Sequence, residues 1–402
     1  MRGDGSVRVN MKKQILSEIL VLTALCIIAN LFLKASVAQD KPLAEIYRTG
    51  KIRLIPEITI TDETMNGKDF FAGASDIAFD GKGDVYVCDG RANNIKMFDA
   101  HGKYVKTIGK QGQGPGDFNY PTEMEIAGDR LYVRELYNRR ISVIDSEGIF
   151  IKSVPIPMET GTSWWRIAAL PDGRFIVERE KVNYGDPNAP QECFIELYST
   201  NFEPVKIIYQ HQVRRNKYVT EPQRTNVPIP FSPRVHWDVT PDGKIVIGFS
   251  EKYEAEIYDP VKGKLSAFSY PYKPVEVTAE AKDLFFKSMT FMSGGMGGAT
   301  TTQRGAPDFI VKNTEFPKYY PPYNDLKVDS EGNIWVRPYL ASAAETSRVF
   351  DVFGQDGKFI NRVRIEGEAH YPGRTAWTSR GFWTITMTKD EEYKIVKYKI
   401  SE

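Results

Sequence analysis

Residues 111–124 read QGQGPGDFNYPTEM. Glycines at every second position, 112, 114 and 116, allow three readings: a loop that cradles phosphate, a linker, or a joint between two copies of a unit. A phosphate loop needs a helix whose N-terminus faces the glycines. Here the chain runs into Pro121 and then a strand-like segment, with no Lys-Ser/Thr pair. A linker would not sit in register between two similar hairpin pairs. The stretch therefore reads as the crossing from the outer strand of one unit to the inner strand of the next, with Phe118 and Tyr120 packing between units and Glu123 delivered beyond it.

The copies on either side set the architecture. DIAFDGKGDVYVCD (76–89), EMEIAGDRLYVRE (123–135), IAALPDGRFIVERE (167–180), HWDVTPDGKIVIGFS (236–250), DLKVDSEGNIWVRP (325–338) and AWTSRGFWTITMT (376–388) each hold an apolar strand, a tight Gly- or Asp-bearing turn and a second apolar strand. A second hairpin follows in most of them, as in NIKMFDAHGKYVKTI (94–108), RISVIDSEGIFIKSV (140–154) and VFDVFGQDGKFINRVRI (349–365). Four antiparallel strands per unit, repeating at about 40–50 residues where no insertion intervenes, is the pattern of propeller blades. The last copy ends one strand short at KIVKYKISE (394–402), and KIRLIPEITI (51–60) can supply that strand and close the ring. The expected fold is all-β: a six-bladed β-propeller of four-stranded antiparallel blades, with a partly helical insertion between blades four and five. Seven blades would need one hidden in 272–322, which is too irregular.

GKQGQGPGDFNYPTEMEI (109–126) followed by DRLYVRELYNRRISVIDSEGIFI (129–151) resembles a repeat of the NHL family, and DVYVCDGRANNIKMFDAHGKYV (84–105) is similar to the same pattern. Copies three to six match only in their hairpin skeleton. The resemblance implies an extracytoplasmic or modular propeller used mostly for binding. A minority of relatives are enzymes, including amidating lyases, and more distant six-bladed relatives are calcium-dependent lactonases and phosphotriesterases. Fold does not choose among these.

Residues 1–38 read as a signal peptide. Arg8, Lys12 and Lys13 precede an apolar run from Ile15 to Leu33, and Ala35-Ser36-Val37-Ala38 offers a cleavage site before residues 39–402, the propeller. An uncleaved membrane anchor is the alternative. A secreted or periplasmic protein follows from the first reading, and membrane attachment only from the second. With 53 basic against 52 acidic residues, no global field favours nucleic acid. Cys88 and Cys193 lie in separate strand-like segments and read as two thiols or one optional disulfide.

In a propeller the innermost strand of each blade begins beside the channel mouth, and the loop after the second strand reaches the same face. Alignment places Asp76, Glu123, His236 and Asp325 at matching innermost starts, with Arg166 or Ile167 in copy three and Thr375 in copy six. Oxygen donors from several blades can hold a hard cation such as Ca²⁺, which makes the first four the candidate metal ligands. The alternative is that such carboxylates satisfy backbone N–H groups of neighbouring blades. The loops add Arg91, Arg134, Tyr137, Arg179, Lys252, Arg337 and Tyr339. Of these, Arg134, Arg179, Arg337 and Tyr339 are the candidate ligand-binding residues, since arginines clamp carboxylate, phosphate or sulfate. Pairing with nearby acids such as Glu135, Glu178 and Glu180 would instead make the arginines structural.

The insertion 272–322 holds a helix-like stretch (277–289), a Gly-rich piece (293–308) and the aromatics FPKYYPPY (316–323). It leaves an outermost strand for the next innermost one, so it emerges at the channel mouth, as a cap or as a seal. No HExxH, GxSxG or Walker pattern is present, and only His236 is well placed. The expectation is an exported NHL-like propeller that recognises a peptide, glycan or protein at its channel mouth. The alternative is a divalent-metal-dependent hydrolase or lyase with its site in the central channel.

Overall fold

A computed structural model of the chain describes residues 41–67, 69–156, 161–183, 185–186, 188–221, 224–293, 301–367, 375–379, 381–388 and 392–402. Residues 1–38, expected to be a signal peptide, lie outside them. The chain divides into Met1–Glu45 and Ile46–Glu402, and the second unit is the propeller. Among the described residues, no helix is long and apolar enough to cross a membrane.

The expected blades form. From the channel outward, blade 1 is Ala74–Phe79, Val85–Asp89, Asn94–Phe98 and Tyr104–Ile108, and blade 2 is Pro121–Ala127, Arg130–Glu135, Arg140–Asp145 and Phe150–Pro155. Blade 3 is Thr162–Ala169, Phe175–Lys181, Gln191–Tyr198 and Pro204–Val213. Blade 4 is Val235–Val239, Ile245–Phe249, Glu254–Asp259 and Gly263–Ser269. Blade 5 is Tyr323–Val328, Ile334–Pro338, Val349–Phe353 and Phe359–Glu366. Blade 6 is Thr375–Thr378, Gly381–Met387 and Tyr393–Ser401, completed by Lys51–Ile60. That strand runs antiparallel to Tyr393–Ser401 from Arg53↔Ser401 to Ile60↔Ile395. Its first residues also pair in parallel with the outer strand of blade 5, Lys51↔Arg364 to Arg53↔Glu366, which fuses two blades into one eight-stranded sheet.

Turn chemistry repeats with the blades. Asp80 Oδ1 accepts from the backbone N–H of Lys82 (2.9 Å) and Asp84 (3.0 Å). Asp99, Asp145 and Asp329 do the same in their hairpins. In each turn a glycine three residues on, such as Gly83 at φ +88° or Gly332 at φ +82°, takes the left-handed conformation that other residues resist. Apolar layers then pack blade on blade. Tyr86, Cys88, Ile95 and Met97 of blade 1 meet Met124, Leu131, Val133 and Ile144 of blade 2 around a fully buried Phe118. The two buried thiols are not bridged: Cys88 belongs to blade 1 and Cys193 to blade 3.

The 111–124 crossing is held by its carbonyls. Arg140 donates to the carbonyl oxygens of Gln113 (2.9 Å), Gly114 (3.1 Å) and Asp117 (2.8 Å), and Asn138 donates to that of Gly112 (2.9 Å). A loop that cradles an internal guanidinium has the opposite polarity to one that binds phosphate. Phe118 packs between blades as expected. Tyr120, at φ +56°, instead meets Tyr137 with ring centroids 5.3 Å apart.

Two insertions leave the ring. The one between blades 4 and 5 carries a helix, Ala279–Ser288, capped by Thr278 Oγ1 accepting from Ala281 N–H (3.2 Å), then a hairpin, Thr290–Ser293 with Thr301–Arg304. The other, between blades 3 and 4, carries the hairpin Asn216–Val219 with Thr225–Pro228, which the repeat pattern does not anticipate. The two pack together through Val219, Val227 and Ile310, with Met289 and Phe309 against them. Both follow an outermost strand, so both rise on the channel-mouth face.

Candidate functional site

A β-bulge recurs at the start of the innermost strand in blades 1, 2, 3 and 5. Pairing steps from Ala74↔Asp89 to Asp76↔Cys88, from Pro121↔Glu135 to Glu123↔Arg134, from Trp164↔Arg179 to Arg166↔Glu178 and from Tyr323↔Pro338 to Asp325↔Arg337. Bulges re-aim side chains and terminate pairing at rims beside binding sites. Three of them bring Asp76, Glu123 and Arg166 to the lining of the central channel, and at the blade 5 bulge Asp325 pairs with Arg337. Blade 4 has none: His236 faces Gly248 directly, where a Cβ would lie 2.2 Å from the Tyr323 hydroxyl.

The axis is a channel of about 910 Å³. Its carboxylates join neighbouring innermost strands. Asp76 Oδ2 accepts from Met124 N–H (2.8 Å), Glu123 Oε2 from Ile167 N–H (3.2 Å), Glu125 Oε2 from Ala169 N–H (3.4 Å) and Asp238 Oδ2 from Val328 N–H (2.9 Å). Glu123 Oε2 also accepts from Arg134 Nε (3.1 Å), and Asp238 Oδ1 pairs with Arg166 (2.5 Å), whose guanidinium stacks 4.4 Å from the Trp237 ring. Burial opposes the Arg166 charge, but Asp238 outweighs it and holds the guanidinium protonated.

Of the four candidate metal ligands, Asp76 and Glu123 act electrostatically on Glu125 of blade 2, and Asp325 acts on His236. Among the described residues, no group of three His, Cys, Asp or Glu side chains is placed to hold a metal ion. Burial, with Lys327, Arg234 and Arg337 nearby, pulls the His236 pKa down to about 4 against the pull of Asp325, so the imidazole is neutral at pH 7.

The candidate arginines also have protein partners, and these are not the adjacent acids. Arg134 pairs with Glu123 and donates to Trp164 O (3.3 Å). Arg179 makes two bonds to Glu196 (3.0 and 2.7 Å) and stacks on Phe194. Arg337 bonds Asn324 (2.7 Å) and Asp325 (3.3 Å). Tyr339 stacks on Tyr320 of the insertion, centroids 4.4 Å apart, and edges Phe231. Phe231 in turn meets Phe285 and Phe316, so the insertion's aromatics knit into the mouth face.

The basic side of the channel comes from residues outside the aligned positions. Arg215 reaches in from the blade 3–4 insertion, bonds Glu180 (3.2 Å), lies 3.8 Å from Glu178 and sits over the Trp165 ring at 5.5 Å. Trp165 is the bulged residue of blade 3 and remains 50% exposed at the mouth. Arg234, just before blade 4, and Lys327, on blade 5, line the same channel. Among the described residues, no carboxylate lies within 4.0 Å of either side chain. Period-two alternation could have found Glu125, Asp238 and Lys327, since each lies two residues beyond an aligned channel residue.

Glu125 is the channel's most perturbed acid. Burial, then the charges of Glu123 and Asp76, push its pKa from 4.5 to about 8. The folded carboxyl keeps its proton to higher pH than the unfolded one. Its contribution to stability is therefore full below about pH 4.5 and lost as pH rises toward about 8, at up to about 1.4 kcal/mol per pH unit. Glu125→Gln is expected to flatten that slope. Urea melts at pH 5 and pH 8 measure it, and equal losses in both proteins would contradict the assignment.

A second cavity of about 540 Å³ opens between the insertion and blades 4 and 5, lined by Tyr253, Tyr270, Tyr272, Pro274, Tyr339 and Leu340 among others.

Comparison with known proteins supports the fold. The sequence model of the DUF5128 family, described as a 6-bladed beta-propeller, matches residues 69–190. A search of curated proteins returned no match. Among solved structures, a protein described as a candidate for export, from Bacteroides fragilis, aligns with TM-score 0.50 at 8% identity, covering 87% of this chain and 96% of its own. A DUF4221 family member from Bacteroides vulgatus gives 0.49 at 12%, covering 88% and 99%. Virginiamycin B lyase from Staphylococcus aureus gives 0.39 at 13%, covering 87% and 99%.

Proposed function

We propose that the chain is an exported, NHL-like binding propeller that recognises its ligand at the channel mouth. One observation carries this reading. The channel carboxylates hold neighbouring blades together, while a half-exposed Trp165 and the cations Arg234 and Lys327 face the same opening without an acid partner among the described residues. A large concave opening is the usual form of a ligand site. Export is supported by the pattern of residues 8–40, and the NHL-like character by the first two blades.

The test is a binding screen of the purified protein against peptides and glycans, repeated with a Trp165→Ala/Arg234→Gln double variant. The double variant is expected to weaken any retained ligand by about tenfold or more, equivalent to roughly 1.4 kcal/mol, at unchanged melting temperature. A ligand held equally by both proteins would overturn the reading.

A further inference from the structure

We infer that Arg234 and Lys327, with Arg215 beside them, form a receptor for a single carboxylate on a ligand whose ring stacks on Trp165. The inference rests on the channel mouth being the binding face and assigns the chemistry of what binds there. Arg234 immediately precedes the innermost strand of blade 4, and Lys327 sits on the adjacent innermost strand of blade 5; both act electrostatically on His236. Channel acids on this side are otherwise engaged: Asp238 by Arg166 and Val328 N–H, Glu178 by Trp237 Nε1 (2.9 Å), and Glu180 by Arg215 (3.2 Å). Arg215 turns part of its guanidinium to Glu180 but keeps a buried Nε–H that meets no acceptor. Although Arg234 is solvent-exposed at the mouth, partial desolvation there, and then repulsion from the neighbouring Arg215 guanidinium, disfavours its charge. A bound anion relieves both costs.

The surroundings limit the anion to one charge. On this side of the channel the cations Arg166, Arg215, Arg234, Lys327 and Arg337 face the acids Glu178, Glu180, Asp238 and Asp325, one positive charge in surplus, so a monocarboxylate completes the balance and a phosphate dianion overshoots it. Neutral His236 beside the cations adds a hydrogen-bonding group without further charge. Trp165, half-exposed at the rim, offers a flat face for a sugar or aromatic ring. A channel of about 910 Å³ has room for a disaccharide or dipeptide.

Two sources carry this chemistry, an acidic sugar and the free C-terminus of a peptide. Calorimetric titration of the full chain with methyl glucuronide against neutral methyl glucoside, and with acetyl-Gly-Trp against its C-terminal amide, separates them. At least one acid is expected to bind about tenfold or more tightly than its neutral partner, a difference that shrinks with added salt. Arg234→Gln and Lys327→Gln should each erase that difference, and Trp165→Ala should weaken both members of the pair. Arg234 is exposed, so its variant is expected to fold even if Lys327→Gln does not. Acid and neutral partners bound alike, or an acid unaffected by Arg234→Gln but lost with Trp165→Ala, would overturn the carboxylate receptor and leave the binding face standing. Binding indifferent to all three substitutions would overturn both. Failure of both acids to bind at millimolar concentration would overturn the receptor.

Discussion

A chain that begins at Thr61 is expected to lose its cooperative melting transition. Lys51–Ile60 is the outermost strand of blade 6 and is also paired to blade 5, so its removal opens the ring at two interfaces. It buries Ile52 and Ile60 completely and Leu54 nearly so. Each such aliphatic side chain is worth about 2–5 kcal/mol in a core, and their sum rivals the whole stability of an ordinary domain, about 5–15 kcal/mol. The exposed edge of Tyr393–Ser401 would also present unpaired N–H and C=O groups, an invitation to aggregation. Circular dichroism melts measure the outcome. A truncated chain that melts cooperatively within a few degrees of the intact one would show that the ring does not depend on this closure.

The second large effect is expected at Asp89. Lys96 is fully buried in blade 1, with its ammonium 3.2 Å from Asp89 Oδ2, 2.9 Å from Asn94 Oδ1 and 3.5 Å from Asp69. Asp89 also accepts from the N–H groups of Ala72 (2.8 Å) and Ala92 (3.0 Å). Asp89→Ala leaves a buried cation without its main counter-charge and two donors unsatisfied, and about 3–5 kcal/mol of stability should go with it. Adding Lys96→Met removes the stranded charge and should restore part of the loss. Urea denaturation of the three proteins decides the matter: a single variant within about 1 kcal/mol of wild type would show that the pair contributes little.

The sequence made the blades legible because two local rules agree at each copy: period-two apolar alternation and an Asp-to-Gly turn of fixed spacing. The closing strand was legible for a topological reason, since the sixth copy ended one strand short and 51–60 had no other hairpin partner. Ring positions followed from aligning the copies. The side-chain partners did not, because they depend on register between strands far apart in sequence. Arg179 meets Glu196 on the next strand of its blade rather than neighbouring Glu180, and Arg166 reaches Asp238 on the next blade. The bulges that aim Asp76, Glu123, Arg166 and Asp325 leave no mark in the alternation pattern itself. Arg215 and Arg234 were missed because the segment joining blades 3 and 4 has no counterpart in the other copies to align with.

Asp76, Glu123 and Asp238 are read as fasteners between blades, with recognition left to the cations and Trp165 at the mouth. Elemental analysis of the purified chain, with melting curves in the presence and absence of chelator, tests that division most directly. The expected result is no stoichiometric Ca²⁺ or Zn²⁺ and an unchanged melting temperature, with Asp76→Ala costing stability equally in both conditions. One equivalent of either ion, lost on Asp76→Ala or Asp325→Ala together with a chelator-dependent drop in melting temperature, would contradict it.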